Sequence, residues 1–323
     1  MSGALRTAVV GVGALGSHHA RIYHELAAAD LVAVVDSRPD RAADAARKYG
    51  CAVCTDYRDL INLVDAVSVA VPTVLHAEIG CALLEAGLHV LVEKPIADTL
   101  EGADLLVAAQ QASGRVLHVG HSERFNPALT KLHEHLTLPL FFEGHRLGAF
   151  VTRSLDVDVV LDLMIHDLDL VLSLVQQPLR EIRAAGVSVL TPRIDIANAR
   201  LEFENGCVAN LTASRVSTEK VRKLRFFQPG QYLSLDFQKK ETEIYGVVDA
   251  GGKKQITHQV VSGEPVEPLR AEISAFLSCV RGQPGKAWPG PCSGSQGRAA
   301  LEVALSLLGR MRSPLQPGPT HTA

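Results

Sequence analysis

One short stretch, DVDVVLDLMIHDLDLVLSL (Asp156 to Leu174), carries residue types whose spacing could do chemistry. Asp158, Asp162, His166 and Asp169 are four, four and three positions apart, so on a helix they share one face. Val159, Val160, Leu163 and Met164 cover the remainder, and Asp167 faces elsewhere. A polar stripe on an apolar helix predicts a buried cleft, because charge removed from water is costly unless paired or used. Asp162 and His166, at i and i+4, form the useful pair. Oxidising an alcohol releases a proton as the hydride leaves, and imidazole is well matched to accept it near neutral pH. An aspartate one turn away can orient the ring, stabilise the imidazolium or hold a substrate hydroxyl. A metal is the rival occupant of such a pair; it needs a third ligand, no HExxH-like motif supplies one, and no metal is expected. A structural polar network inside the helix is the plainer alternative.

A second set lies near the start of the chain. Gly11-Val-Gly13-Ala14-Leu15-Gly16 follows an apolar strand and opens a helix. Gly11 suits a tight turn, Gly13 a close backbone approach to a pyrophosphate, and Gly16 helix–strand packing. The helix start offers unpaired N–H groups to phosphate. Asp36 ends the second strand twenty positions past Gly16, placed to accept from ribose hydroxyls, which favours NAD. Ser37 and Arg38 could instead hold a 2′-phosphate, which leaves NADP open. Glu93-Lys94-Pro95 closes the fifth strand, and ligands of open α/β sheets bind beyond such strand ends. A lysine there could polarise a hydroxyl or hold a developing alkoxide. An exposed strand-end lysine is the competing explanation, and a cis bond at Pro95 is compatible with the motif.

These residues need a scaffold, and the pattern describes one. Up to about residue 121, nearly continuous apolar runs (TAVVGVG, LVAVVD, AVC, AVSVAVP, HVLVEKP, RVLHVGH) alternate with helical stretches at 14–28, 39–49, 76–86 and 100–112. That rhythm predicts an α/β fold with a doubly wound parallel Rossmann sheet over 1–121. From 122 to 312 it changes to an α+β domain with a largely antiparallel sheet. Its strand-like segments are FFEGHRLGAF, IRAAGVSVL, IANARLEFENGCVANLTASRV, KLRFFQPGQYLSLDFQ and ETEIYGVV, with helices around 268–281 and 297–312. Residues 313–323 read as a disordered tail. The chain has 32 Lys and Arg against 35 Asp and Glu, a net charge of −3 that argues against a nucleic-acid partner. No apolar run is long enough to insert in a membrane, the N-terminus enters a strand at once, and the six irregularly spaced cysteines suit a reducing cytoplasm. Cys51-Ala-Val-Cys54 has no second pair and reads as structural.

The glycine turn, VPTVLHAEIGCALLEAGLHVLVEKPIADT and DLMIHDLD together resemble the glucose–fructose oxidoreductase / inositol dehydrogenase / MocA (Gfo/Idh/MocA) family of nicotinamide-dependent sugar and polyol oxidoreductases. The resemblance implies that Lys94 is catalytic, that His166 is the acid/base with Asp162 its companion, and that Pro72, Thr73, His76 and Glu93 lie on the cofactor side. GHSERFNPA resembles the family too and would bring His121, Arg124 and Asn126 toward the substrate. Asn126 and Pro127 equally suit a helix start as N-cap and N1. With the basic run Arg215, Lys220, Arg222, Lys223 and Arg225, these motifs are similar to the branch that oxidises the 3-hydroxyl of UDP-N-acetylglucosamine for amino-sugar lipid A synthesis. Arg215 would meet the diphosphate there, although most such charge runs are solvated faces. Another sugar or polyol (UDP-N-acetylglucosaminuronate, an inositol) and a non-catalytic nicotinamide-binding regulator are the alternatives. The second sheet is expected to leave one face open for a homodimer or homotetramer.

Overall fold

Apolar β-branched runs at the start of the chain become strands covered on both faces. The computed structural model describes residues 3–150, 157–285 and 288–311; Asp156 and the tail 313–323 lie outside the described residues. By contact the chain forms two compact units, residues to Asn126 with Pro265–Leu301, and Pro127–Glu264 with the chain from Glu302.

In the first unit the chain runs β1 (Leu5–Val10), α1 (Gly16–Glu25), β2 (Ala29–Val35), α2 (Pro39–Tyr49), β3 (Ala52–Cys54), β4 (Ala66–Val69), α3 (His76–Glu85), β5 (His89–Glu93), α4 (Leu100–Ser113) and β6 (Leu117–Gly120). The strands pair in parallel in the order β6-β5-β4-β1-β2-β3, the doubly wound dinucleotide-binding topology. Ala66, Val67, Val69, Val90, Leu91 and Val92 are fully buried, as strands under helices on both faces require.

The second unit begins with α5 (Pro127–Thr130) and β7 (Phe141–Leu147). There follow α6 (Ile165–Val175), β8 (Leu179–Val187), β9 (Ile196–Phe203), β10 (Val208–Ser214), β11 (Val221–Gln228), β12 (Gln231–Asp236), β13 (Glu241–Asp249) and β14 (Lys254–Val261). These strands make one sheet, β14-β13-β12-β11-β7-β10-β9-β8, antiparallel except at β7–β10. Burial alternates along β9, where Ala197, Ala199, Leu201 and Phe203 face the core and Asn198, Arg200 and Glu202 do not. A turn at Glu204–Gly206 joins β9 to β10, with Gly206 at φ 83°. β14 escaped the sequence pattern because nearly all its residues are exposed, so no buried alternation marks it.

Three elements close the chain: α7 (Pro268–Val280), the two-residue β15 (Cys292–Ser293) and α8 (Gly294–Arg310). Reading order alone places α7 in the second domain; its packing places it in the first. Ile273, Phe276 and Leu277 are buried with Ala20, Ile22 and Tyr23 of α1, and β15 adds an antiparallel edge beside β6.

Candidate active site

The glycine turn shows two steric demands and one open space. Gly11 takes φ 86°, and a Cβ there would lie 2.6 Å from the Ala70 carbonyl oxygen. A Cβ on Gly16 would be driven into the Gly11 carbonyl. Around Gly13 the nearest protein atom would be Arg41 Nη1 at 3.5 Å, so the chain itself does not require glycine there. The space suits a pyrophosphate drawn close to the backbone, which is the fit an NAD-type cofactor needs. Ala14 and Leu15 complete the turn, Leu15 half exposed at the head of α1.

Asp36 is buried and does more than face a ribose. Its Oδ2 accepts from the Val12 N–H at 2.9 Å and its Oδ1 from the Arg38 N–H at 2.9 Å. The carboxylate therefore ties the glycine turn to the end of β2. Beside it lies a cavity of about 340 Å³ whose lining includes Gly13, Asp36, Ser37, Arg41, Tyr57 and Pro72. Arg38 is absent from that lining; its guanidinium is exposed and paired with Asp40 at 2.7 Å. Arg41, one turn into α2 and 3.7 Å from Asp36, is the cation at the pocket, a residue sequence spacing did not single out.

At the end of β5 the Lys94–Pro95 peptide is cis, and two buried histidines hold the flanking residues. His19 of α1 contacts Glu93 Oε1 at 2.8 Å through Nε2 and Ser68 Oγ at 3.0 Å through Nδ1. Tyr23 OH reaches the same Ser68 hydroxyl at 2.8 Å. Glu93 Oε2 accepts from the Lys94 N–H at 3.3 Å. Burial alone would raise the Glu93 carboxyl, but the His19 hydrogen bond and the charges of His19 and Lys94 bring it below the ordinary carboxylate range. His76 was expected on the cofactor; its ring instead lies between the carbonyls of Pro95 (2.9 Å) and Val71 (3.0 Å), 1% exposed. Pro72 and Thr73 make the turn ahead of α3, and Pro72 lines the cavity.

The GHSERFNPA segment folds inward. His121, Arg124 and Asn126 are 1%, 2% and 4% exposed. Arg124 donates to Gln296 at 3.1 Å, and the Asn126 amide to Glu123 at 3.2 Å. Pro127 opens α5 as its N1 position predicts.

In the second unit the acid stripe separates into two kinds. A π turn over Val160–Met164 precedes α6, where a regular helix was expected. Asp158, read as part of the stripe, accepts from the Ile194 N–H at 2.8 Å and anchors the start of that turn. Asp167 faces away as predicted and forms a bidentate pair with Arg146 (3.0 and 2.7 Å), both side chains 3% exposed. Asp162 and His166 are half-buried and Asp169 is buried. Arg215 is 6% exposed and donates to the Val157 carbonyl, with Asp195 3.8 Å away. Asp195 in turn accepts from the N–H groups of Val189, Leu190 and Thr191. The basic run is therefore no single patch: Arg215 is internal, Lys223 pairs with Asp236 and Arg225 with Glu143.

The Cys51 and Cys54 thiols are pushed up by burial, which keeps them protonated and suits the structural reading of that CxxC.

A doubly wound sheet, a glycine turn with room for pyrophosphate and a strand-end lysine define the class: an NAD-binding oxidoreductase. Comparison with known proteins agrees. Residues 5–121 match the oxidoreductase family with NAD-binding Rossmann fold, and residues 111–246 match the Gfo/Idh/MocA C-terminal domain. The UDP-N-acetylglucosamine 3-dehydrogenase of Acidithiobacillus ferrooxidans is 38% identical over 306 residues, 94% of this chain and 96% of that protein. A solved structure of that enzyme, GnnA, superposes with a TM-score of 0.87 over 95% of this chain and 98% of its own, at 36% identity. Levoglucosan dehydrogenase in complex with NADH and levoglucosan shares the fold (TM-score 0.81, 20% identity, 95% and 96% covered). The chain belongs to the Gfo/Idh/MocA oxidoreductase family.

Proposed function

We propose that this protein oxidises the 3-hydroxyl of UDP-N-acetylglucosamine to the ketone, with NAD as acceptor, on a route toward amino-sugar lipid A. The observation that carries the substrate is end-to-end similarity to the Acidithiobacillus enzyme, which extends through the second unit. An inositol 2-dehydrogenase of Acidothermus cellulolyticus, by contrast, aligns over 56% of this chain. NAD, when bound, accepts the hydride. His166 takes the hydroxyl proton, Asp162 orients the imidazole and steadies its charge, and the Lys94 ammonium holds the developing alkoxide. Asp36 supports NAD over NADP, since a buried carboxylate disfavours a 2′-phosphate and Arg38 is engaged with Asp40. Arg215 enters this reading as a support for the start of the His166 helix, in place of the diphosphate contact expected of it.

The six unpaired cysteines suit a cytoplasmic enzyme, and no helix among the described residues is long and apolar enough to cross a membrane. A second copy of the chain is the proposed partner of the second sheet. Phe227, Tyr232, Tyr245 and His258 stack across β11 to β14 with centroids 4.9, 5.5 and 4.4 Å apart, beside exposed Val247 and Val248. Light scattering at micromolar concentration should show a dimer or tetramer; a monomer would remove that part of the reading.

The test of function is reduction of NAD by a panel of UDP-N-acetylglucosamine, its uronate, UDP-glucose and myo-inositol. Turnover on the first alone supports the proposal. Turnover on another member reassigns the substrate, and binding of NAD with no turnover favours a regulator.

A further inference from the structure

The hydrogen bonds behind Lys94 are more elaborate than a strand end requires. Glu93 is 8% exposed and points inward, although it neighbours a residue that must point outward. A carboxylate buried at the end of a parallel strand is costly unless its partners compensate. Here the chain Tyr23–Ser68–His19–Glu93 gathers residues from α1, β4 and β5 and ends on the Lys94 N–H. β6 leaves room for it with Gly120, where a Cβ would lie 2.9 Å from Glu93 Oε2.

We infer that His19 is a positioning residue for Lys94: it fixes the Glu93 carboxylate, which accepts from the Lys94 N–H and so holds the lysine backbone, and its own charge beside it, in place. The inference rests on the proposed role of Lys94 for its catalytic meaning, and on geometry alone for the coupling itself. α1 also carries the glycine turn at its head, so one helix that shapes the cofactor's phosphate site also sets the lysine. The groups acting on Glu93 are His19 from α1, His76 from α3 and Lys94 beside it; Ser68 of β4 and Tyr23 of α1 stand one hydrogen bond further out behind His19, with Glu272 of α7 acting on Tyr23.

Two conservative substitutions separate this role from mere packing. In His19→Gln the amide takes the place of Nε2 and can still donate to Glu93. In His19→Asn it takes the place of Nδ1, keeping Ser68 and losing Glu93. The probe is the rate at which acetic anhydride acylates Lys94 in the whole purified protein as a function of pH, read by mass spectrometry, which needs neither cofactor nor substrate. Glu93→Gln should move the Lys94 midpoint down by about one pH unit, because the ammonium loses a nearby negative charge, and His19→Asn should move it the same way by less, because the carboxylate stays ionised but is no longer held beside the lysine. His19→Gln should stay near the wild type, and lysines elsewhere should not move. On a substrate that the wild type oxidises, His19→Asn should lower kcat about tenfold or more with the KM for NAD little changed, since a displaced catalytic group costs turnover before binding. If Asn and Gln give the same midpoint, whether shifted or not, the inference fails. If His19→Asn does not fold, Glu93→Gln decides it, and an unmoved Lys94 there overturns the relay. A wild type without turnover on any sugar would defeat the proposed function and leave the labelling result to stand by itself.

Discussion

The two residues proposed to do chemistry are held in opposite ways. Lys94 follows a strand whose last side chain is clamped by side-chain hydrogen bonds from a neighbouring helix, with His76 closing on the next carbonyl. His166 follows a π turn whose start is anchored through the backbone: Asp158 on the Ile194 N–H, Arg215 on the Val157 carbonyl, and a loop wound on Asp195. A strand end has few intrinsic constraints, so its direction needs an external clamp. A helix start is rigid once its first turn is anchored, so polar groups are spent on the anchor. Residues that look alike in sequence thus divide into those that hold the fold and those proposed to act.

That division can be broken experimentally. The largest effect should come from His166→Ala, with kcat down about 10²–10⁴-fold and NAD affinity little altered, as expected for loss of a proton acceptor in the chemical step. Steady-state kinetics beside direct NAD titration checks it, and an equal loss of NAD binding would contradict the assignment. Asp167→Ala should act on stability, costing about 3–5 kcal/mol in urea unfolding because Arg146 is left as a buried charge. Asp162→Ala, in the same stripe, should leave the unfolding midpoint nearly unchanged and lower kcat. If the two aspartates exchange these phenotypes, the sorting of the stripe is wrong.

Acid stability should depend on buried histidines of the first unit. Burial, with the nearby Arg124 charge, pushes the His118 imidazole down to about 4 from its ordinary 6.5. Burial lowers His76 as well. A histidine kept neutral when folded binds its proton on unfolding, so its contribution is complete above about pH 6.5 and is lost as the pH falls toward 4. His118→Leu should therefore flatten the fall in unfolding free energy, measured by urea titration, between pH 7 and pH 5 by about 2 kcal/mol. The smallest effect should be Gly13→Ala. It meets no protein atom closer than 3.5 Å, so the melting temperature should hold while NAD affinity drops about tenfold, near 1.4 kcal/mol.

Much of the first unit was legible because its signals are local. Pro39–Tyr49 emerges as read, and Gly11 and Gly16 answer to separate steric demands, while Gly13 borders open space. What the sequence could not display were contacts made across it. His19 lies three positions past Gly16 and looks like any helix residue until β4 and β5 bring Ser68 and Glu93 to it. Arg41 outranks Arg38 at the pocket because Asp40 captures the nearer arginine. In the second unit, periodicity correctly turned Asp167 away from His166, yet it counted Asp158 with the stripe because regular helical spacing hides a π turn. Arg215 stood in a basic run and proved internal, since charge patterning says nothing of which strand end turns inward.

The most direct test of the central claim uses UDP-N-acetylglucosamine deuterated at C3, incubated with the purified protein and NAD. Deuterium should appear in the reduced nicotinamide, a 3-keto nucleotide sugar should accumulate, and Lys94→Ala should abolish both while still binding NAD. Reduction of NAD without deuterium transfer, or no reduction by this sugar while another sugar is oxidised, would contradict it.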